Sequence, residues 1–218
     1  MQENGGQAAA FNAGFSLVRG EIVAFLDSDD FWTHEKLETI VNWHHVLKNY
    51  YSVLQHELDI LENGNLSPYK HILPVGNCFA EMQRSGERNF FVPTSGLCFR
   101  KEILDHVFPI PLKLIISADA YIMRTAFVFG KLYSIPEVLG FYRKHNNLVL
   151  GNEDFHVPFI TEILIPELNK FYKAQGIDYQ LSLTDLVIPE LIGIYSSTCW
   201  KITKPIRFFS NILKKIRG

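Results

Sequence analysis

The sequence has few cysteines, no long apolar run and no excess of charge of one sign. Its cysteines, Cys78, Cys98 and Cys199, show no CxxC spacing, which argues against a zinc module and a disulfide-stabilised secreted domain. No uncharged apolar run approaches the roughly 18 residues of a membrane-spanning helix. With 21 basic and 23 acidic residues, a nucleic-acid-binding surface is not expected. The polar N-terminus is unlike a signal peptide, so we predict a soluble or membrane-peripheral intracellular protein.

The composition is that of an ordinary globular protein. Of the 218 residues, 47% are hydrophobic and 20% charged, and 17 phenylalanines provide material for a core. This length suits one domain, or one domain with a small appendage. The pattern becomes helical after residue 150, which predicts a catalytic-type body over residues 1–150 and a helical extension over 151–218.

The first fifty residues predict an α/β arrangement. Residues 4–19 favour a helix capped by Gly20, and the apolar run at 22–26 predicts a strand buried on both faces. Acidic residues follow at once, and Thr33 then offers an N-cap for a helix that reaches about residue 50. Helix, strand, loop and helix in this order are typical of a parallel sheet with crossover helices.

The rest of the chain contains shorter predicted elements. Residues 51–70 are mixed in character and end in a turn-rich stretch. Later segments predict strands at 96–100, 132–135 and 139–143, a helical turn at 101–106, and helices at 118–129, 154–175 and 183–202.

An acidic loop directly follows the first predicted strand. Asp27, Asp29 and Asp30 repel one another unless a cation lies between them, and carboxylate oxygens suit Mg²⁺ or Mn²⁺. Ligands in open α/β sheets bind beyond the carboxyl ends of the strands, which is where these residues fall. Taken alone, the triplet is more typical of a solvated turn whose aspartate caps the next helix.

Residues 3–32 resemble the central segment of family-2 glycosyltransferases with the GT-A fold. The glycine-rich helix, the Gly20-Glu21 pair, the apolar strand and the acidic loop occur in the order N-x-G-x-x-x-A-x-N-x-G, G-E, strand and D-x-D-D. The resemblance implies a partial GT-A, Rossmann-like sheet with helices. It also implies a metal held by Asp29 and Asp27, and contacts to a nucleotide-diphosphate sugar from Asn4, Gly5, Gly6, Gln7, Asn12, Asp27, Ser28 and Asp30.

Two later segments resemble other motifs of the same family. Asp119 stands where the family has an E-D pair, with Ala118 replacing the glutamate, and the resemblance implies a general base. The segment ending in Arg143 and His145 resembles a closing Y-R-x-H strand, which implies a diphosphate contact for Arg143 and a metal contact for His145. A helix N-cap at Asp119 and a basic edge strand facing water are the alternatives.

Residues Thr94, Ser95 and Gly96 resemble a family stretch near the acceptor pocket, although the same letters suit an ordinary turn. The resemblance implies an inverting, Mn²⁺- or Mg²⁺-dependent transfer of a sugar to a saccharide or lipid-linked hydroxyl. A role in cell-surface polysaccharide or glycolipid synthesis is expected. A D-x-D-x-T phosphatase is disfavoured because Phe31 occupies the position of the threonine.

The family begins with further strands and helices upstream of residue 4, so we expect an N-terminally truncated copy. That expectation and Ala118 leave open a second interpretation, a degenerate glycosyltransferase-like domain that binds a sugar or a partner without turnover.

The C-terminal segment, residues 204–218, combines apolar residues at helical spacing with five basic residues. It predicts an amphipathic helix on an anionic membrane surface, or one packed on its own domain. The protein is therefore expected in the cytoplasm, either free or on the inner face of the cell membrane.

Overall fold

The computed structural model describes residues 4–48, 50–69, 73–86, 90–144, 158–183 and 185. Six strands in this part of the chain form one sheet: β1 (Ile22–Ala24), β2 (Phe31–Trp32), β3 (Val53–Glu62), β4 (Asn65–Pro68), β5 (Leu97–Arg100) and β6 (Leu132–Lys144). The helices are α1 (Gly6–Phe15), α2 (Lys36–Leu47), α3 (Cys78–Ser85), α4 (Lys101–Leu104), α5 (Ala118–Phe129) and α6 (Ile165–Ala174).

The sheet is mixed, with the order β1-β5-β3-β6-β2, and β4 pairs with the far half of β3. The β3–β6 pair is parallel, whereas the pairs β1–β5, β5–β3, β3–β4 and β2–β6 are antiparallel. The α/β class is confirmed, but the expectation that β1 is buried on both faces is wrong. All three residues of β1 are only partly buried, because the strand lies at one end of the sheet order with β5 as its neighbour.

Strand β3 lies within residues 51–70, a segment that the sequence predicted to be mixed in character. It turns into β4 through Asn63 and Gly64, whose φ angles of 51° and 81° match a two-residue hairpin turn with both central residues at positive φ. Strand β6 is continuous, where two short strands were expected around Pro136. The pairing of β6 with β3 changes register on either side of Glu57, as at a β-bulge.

The central strands are buried on both faces and separate two apolar clusters. On β5, Leu97 and Phe99 join the larger cluster with α3, α4, α5 and α6, whereas Cys98 joins a smaller one with Ile40 of α2. The strand period of two explains this division. The sheet therefore has helices against both faces, as in layered α/β domains.

The helix boundaries correct several expectations. Helix α1 ends at Phe15 with Ser16 as C-cap instead of Gly20, and Leu17 beyond it is 79% exposed, so no core supports a longer helix. Helix α2 begins at Lys36 rather than after Thr33, whose buried hydroxyl has no hydrogen-bond partner. The helix expected at 118–129 is confirmed as α5.

The C-terminal predictions are only partly covered. A π-helical turn, Ile160–Leu164, leads into α6, which confirms the helical character expected before residue 175. The boundary expected near residue 150, the segment after 185 and the basic end at 204–218 lie outside the described residues. In the part of the chain that is described, no helix combines the length and apolar character that crossing a bilayer requires.

Candidate active site

The acidic loop runs from β1 to β2 and is anchored to the turn that precedes β5. The backbone N–H of Phe25 donates to the carbonyl oxygen of Leu97 at 3.1 Å, and that of Asp27 donates to Oγ of Ser95 at 3.0 Å. The N–H of Asp30 closes the loop on the carbonyl oxygen of Asp27 at 3.1 Å. The loop is thus fixed at both ends.

Asp30 is the most deeply buried of the three loop carboxylates. Its Oδ2 accepts a hydrogen bond from the Ser95 hydroxyl at 2.6 Å, and its Oδ1 accepts one from the backbone N–H of Arg143 at 2.8 Å. Burial raises the pKa of Asp30, and these two hydrogen bonds oppose the rise. Asp30 therefore ties the loop to both the β5 side and β6. The donor contact predicted for it stays a prediction.

Asp119 lies in the first turn of α5. Its Oδ2 accepts a hydrogen bond from the hydroxyl of Thr94 at 2.9 Å, and its Oδ1 accepts one from the N–H of Ala120 at 2.8 Å. The N-cap of α5 is Ser117, in the left-handed conformation with φ 53°, so the alternative interpretation of Asp119 as N-cap is wrong. Two fixed donors hold the Asp119 carboxylate in one orientation.

The acidic loop and Asp119 belong to one site. The pKa of Asp27 rises to about 6, first because the side chain is buried and then because Asp119, Asp30 and Asp29 place negative charge near it. A hydrogen bond with Thr94 partly opposes this rise. Residues about ninety positions apart in sequence thus share one electrostatic environment.

Thr94 and Ser95, expected at the acceptor pocket, are buried beneath these carboxylates. Their hydroxyls are directed to Asp119 and Asp30 within the protein, and Gly96 has no room for a side chain because a Cβ would clash with Val92. Through these contacts the turn holds the carboxylates of Asp119 and Asp30 in place. Direct contact with an acceptor stays a prediction for all three.

The N-terminal residues predicted to touch the donor hold the loop before α5. Oε1 of Gln7 accepts a hydrogen bond from the N–H of Ala118 at 2.7 Å. The amide of Asn12 bonds both to the carbonyl oxygen of Ile110 at 2.8 Å and to its N–H at 2.9 Å. These bonds position the segment that carries Asp119.

The remaining predicted donor residues lie at the start of α1 and in the acidic loop. Gly6 has φ 80°, and a Cβ there would be 2.7 Å from Cα of Ile115. Asn4 and Gly5 are exposed, with Oδ1 of Asn4 accepting the N–H of Gly6 at 3.2 Å. Ser28 is exposed in the turn of the acidic loop. Their donor contacts also stay predictions.

Tyr142 and Arg143 of the basic motif both lie near the acidic loop, since the charge of Arg143 also lowers the pKa of Asp30. Asp30, Asp29 and Asp27 all raise the pKa of Tyr142, after burial, so this phenol lies on the side of the acids. The guanidinium of Arg143 lies 5.8 Å from the ring centre of Phe31. His145, the predicted metal ligand, falls outside the described residues.

Two neighbours of the acids were not selected from the sequence. Tyr142 was only one letter of a motif. Lys36 is fully buried, although lysine ordinarily indicates an exposed position. Their placement depends on the pairing of β6 and on the packing of α2, which no local pattern reveals.

Within the described residues, no group of three or more His, Cys, Asp or Glu side chains is placed to hold a metal ion. Three acidic side chains, Asp119, Asp30 and Asp29, place negative charge near Asp27, and a divalent cation at this position stays a prediction. Mg²⁺ is commonly bound by one or two carboxylates together with substrate phosphates and water.

Comparisons with known proteins show the family to which the chain belongs. Residues 1–108 match the family model described as glycosyl transferase family 2. An uncharacterized glycosyltransferase of Nostoc sp. (strain PCC 7120) is 40% identical over 152 residues, which cover 66% of this chain and 46% of that protein.

Solved structures with a similar fold include S. aureus TarS. Its crystal structure matches with a TM-score of 0.51 and 18% identity, covering 84% of this chain and 34% of that one. TarS 1–349 in complex with UDP-GlcNAc also matches at 0.51, with 16% identity and coverages of 85% and 59%. This likeness shows the GT-A type of fold. The chain spans less than two thirds of the length of each of these relatives.

Proposed function

Because the chain belongs to glycosyl transferase family 2, we propose that it transfers a sugar from a nucleotide-diphosphate donor to an acceptor hydroxyl, with inversion at the anomeric carbon. The observation that carries this proposal is the proximity of Asp27 to Asp119, which brings the acidic loop and the acid of α5 into one site. TarS was solved with UDP-GlcNAc and with UDP, so uridine-diphosphate sugars are the first donors to test.

Asp119 serves as the general base in this proposal. Inversion by a single displacement needs a base on the acceptor side, while the leaving diphosphate departs on the opposite side. The Asp119 carboxylate accepts the proton of the attacking hydroxyl as the new glycosidic bond forms. The hydrogen bonds from Thr94 and Ala120 fix its orientation, which supports this role.

Asp27 and Asp29 would hold a Mn²⁺ or Mg²⁺ ion, and the family resemblance adds His145 as a further ligand. Oxygen ligands and the concentration of negative charge around Asp27 support this assignment. When bound, the cation supplies positive charge that stabilises the departing diphosphate. Asp30 is better suited to fixing the loop, because both of its oxygens already accept hydrogen bonds.

A saccharide or lipid-linked acceptor, and a place in cell-surface polysaccharide or glycolipid synthesis, are part of the same proposal. The basic residues of 204–218 would keep the protein near an anionic membrane that carries such an acceptor. Co-sedimentation with anionic vesicles tests this part. Equal recovery of the full chain and of a chain lacking 204–218 would contradict it.

The main experiment uses the full 218-residue chain, Mn²⁺ and a panel of UDP-sugars, with released UDP and glycosylated acceptor as readouts. Asp119→Asn should reduce transfer by about 10²- to 10⁴-fold, the range typical of positioned acid–base groups. Asp178→Asn, at an exposed position before the end of the described chain, is the matched control. Full turnover by Asp119→Asn would contradict the assignment of the base.

A binding domain without turnover is the second candidate. It is favoured by Ala118, which stands where the family that the sequence resembles has a glutamate. Ala118 is fully buried, and its backbone N–H donates a hydrogen bond to Oε1 of Gln7. Calorimetry distinguishes the candidates in part, since a pure scaffold should bind no UDP in a Mn²⁺-dependent manner. Mn²⁺-dependent UDP binding without transfer to any acceptor would favour a binding domain.

A further inference from the structure

Lys36 places a positive charge in the interior, against the backbone of the turn that carries Thr94 and Ser95. Its side chain is 0% exposed, and among the described residues no carboxylate forms an ion pair with it. It is also the first residue of α2, where the helix dipole disfavours a cation. Burial of an ammonium group without a paired anion is expensive, so stability alone does not account for this lysine.

The ammonium group is bound to the turn that carries Thr94 and Ser95. Nζ of Lys36 donates a hydrogen bond to the carbonyl oxygen of Ser95 at 2.7 Å and lies 3.8 Å from the ring centre of Trp32. The indole Nε1–H of Trp32 donates to the same oxygen at 2.9 Å. Two donors, one of them fully buried, therefore hold the carbonyl oxygen of Ser95.

The other side of the turn contacts the acids. The Ser95 hydroxyl accepts the N–H of Asp27 and donates to Asp30, while the adjacent Thr94 donates to Asp119. A shift of the Ser95 peptide would therefore move partners of both the acidic loop and the acid of α5. Lys36 touches none of these carboxylates within ion-pair distance and acts on them through this turn.

We propose that Lys36 is a positioning residue that holds the Thr94–Ser95 turn and so sets the geometry of the acidic site. The inference rests on the proposed function for its kinetic consequence, but the contacts that support it are independent of the reaction. Its burial lowers the pKa of Lys36 to about 8, in agreement with a charged form that is retained at a cost.

Lys36→Met tests the proposal, since methionine keeps an unbranched side chain of similar length without the charge or the donor. The thermal midpoint should stay equal or rise, because the desolvated charge is gone. At the same time kcat for transfer should fall about 10- to 100-fold, the usual loss when a residue that orients a ligating group is removed. Lys170→Met, at an exposed position of α6, is the control and should change neither quantity.

Amide exchange gives a readout that does not need activity. In Lys36→Met the N–H of Asp27, bonded to Ser95, should exchange at least about 10-fold faster, whereas that of Phe25, bonded to Leu97, should not change. If the wild-type chain transfers no sugar, the proposed function fails, and the exchange of Asp27 still decides the role of Lys36.

Ser95→Ala provides the second variant. If Lys36 acts through Ser95, the losses in kcat of Lys36→Met and Ser95→Ala should be clearly less than additive in the double variant. Additive losses, unchanged exchange at Asp27, or a Lys36→Met chain that unfolds at a lower temperature or fails to fold would overturn the proposal.

Discussion

The hydroxyl of Thr94 donates a hydrogen bond to Oδ2 of Asp119 at 2.9 Å, and the same hydroxyl opposes the rise in the pKa of Asp27. One threonine therefore lies between the acidic loop and the acid of α5. This relationship leads to the first of four predictions.

Thr94→Val removes this hydroxyl and keeps the shape of the side chain. Transfer should fall about 10- to 100-fold, because the Asp119 carboxylate loses one of the donors that orient it. The free energy of unfolding should change by only about 1 kcal/mol, the net worth of one hydrogen bond. Steady-state kinetics and urea unfolding measure the two effects, and Thr39→Val on α2 is the control. A large loss of stability with normal kcat would contradict the prediction.

Removal of the cation, or of one of its proposed ligands, should abolish transfer. EDTA should stop the reaction and added Mn²⁺ should restore it, because the leaving diphosphate then lacks its compensating charge. Asp29→Ala should weaken Mn²⁺-dependent binding of UDP by calorimetry, with Asp178→Ala as the control. Equal transfer in EDTA and Mn²⁺ would show that the reaction needs no metal.

Asn12→Leu should destabilise the fold by about 1–3 kcal/mol, since it leaves the N–H and the carbonyl of Ile110 without the side-chain partners they have in the structure. Urea unfolding compares it with Asn42→Leu, at an exposed position of α2, which should change stability by less than about 0.5 kcal/mol. If both variants were equally stable, Asn12 would not hold the loop before α5.

His56 should lower the stability of the protein as the pH falls from about 6.5 towards 3, while the raised pKa of Asp27 opposes this loss. His56 is fully buried, and burial followed by the charge of Lys36 lowers its pKa from 6.5 to about 3. The unfolded chain therefore binds a proton in this window that the folded chain does not, and the free energy of unfolding falls with a slope of up to about 1.4 kcal/mol per pH unit.

Urea unfolding between pH 4 and 7 measures this slope. His56→Gln should reduce it, whatever its effect on absolute stability at neutral pH. His45→Gln, at an exposed position of α2, should leave it unchanged. The same slope in all three proteins would assign the acid sensitivity to other groups.

Patterns confined to a short stretch of sequence predicted the structure well. Helix α5 has the boundaries, 118–129, that the sequence predicted. The turn at Asn63-Gly64 is also a local signal, and it would have revealed the β3–β4 hairpin had the polar residues of β3 not obscured the strand.

Features that depend on distant pairing were not predictable. The apolar run of β1 suggested a central strand, but its position is set by β5, more than seventy residues later. The burial of Lys36 likewise depends on how α2 packs against the turn at Ser95. The acids of the site were selected by a resemblance, whereas the turn that connects them emerged only from the folded arrangement.

Asp119 and Asp30 accept hydrogen bonds from two consecutive residues, Thr94 and Ser95. This shared dependence limits how the site can change in evolution. A substitution in this turn that moves one carboxylate also moves the other. Selection for a new sugar would therefore be less constrained at positions outside the turn. The partly exposed ring of Phe31, which follows directly after Asp30, is stacked on Phe141 with ring centroids 4.6 Å apart. Directed evolution of this chain would best begin with that aromatic pair.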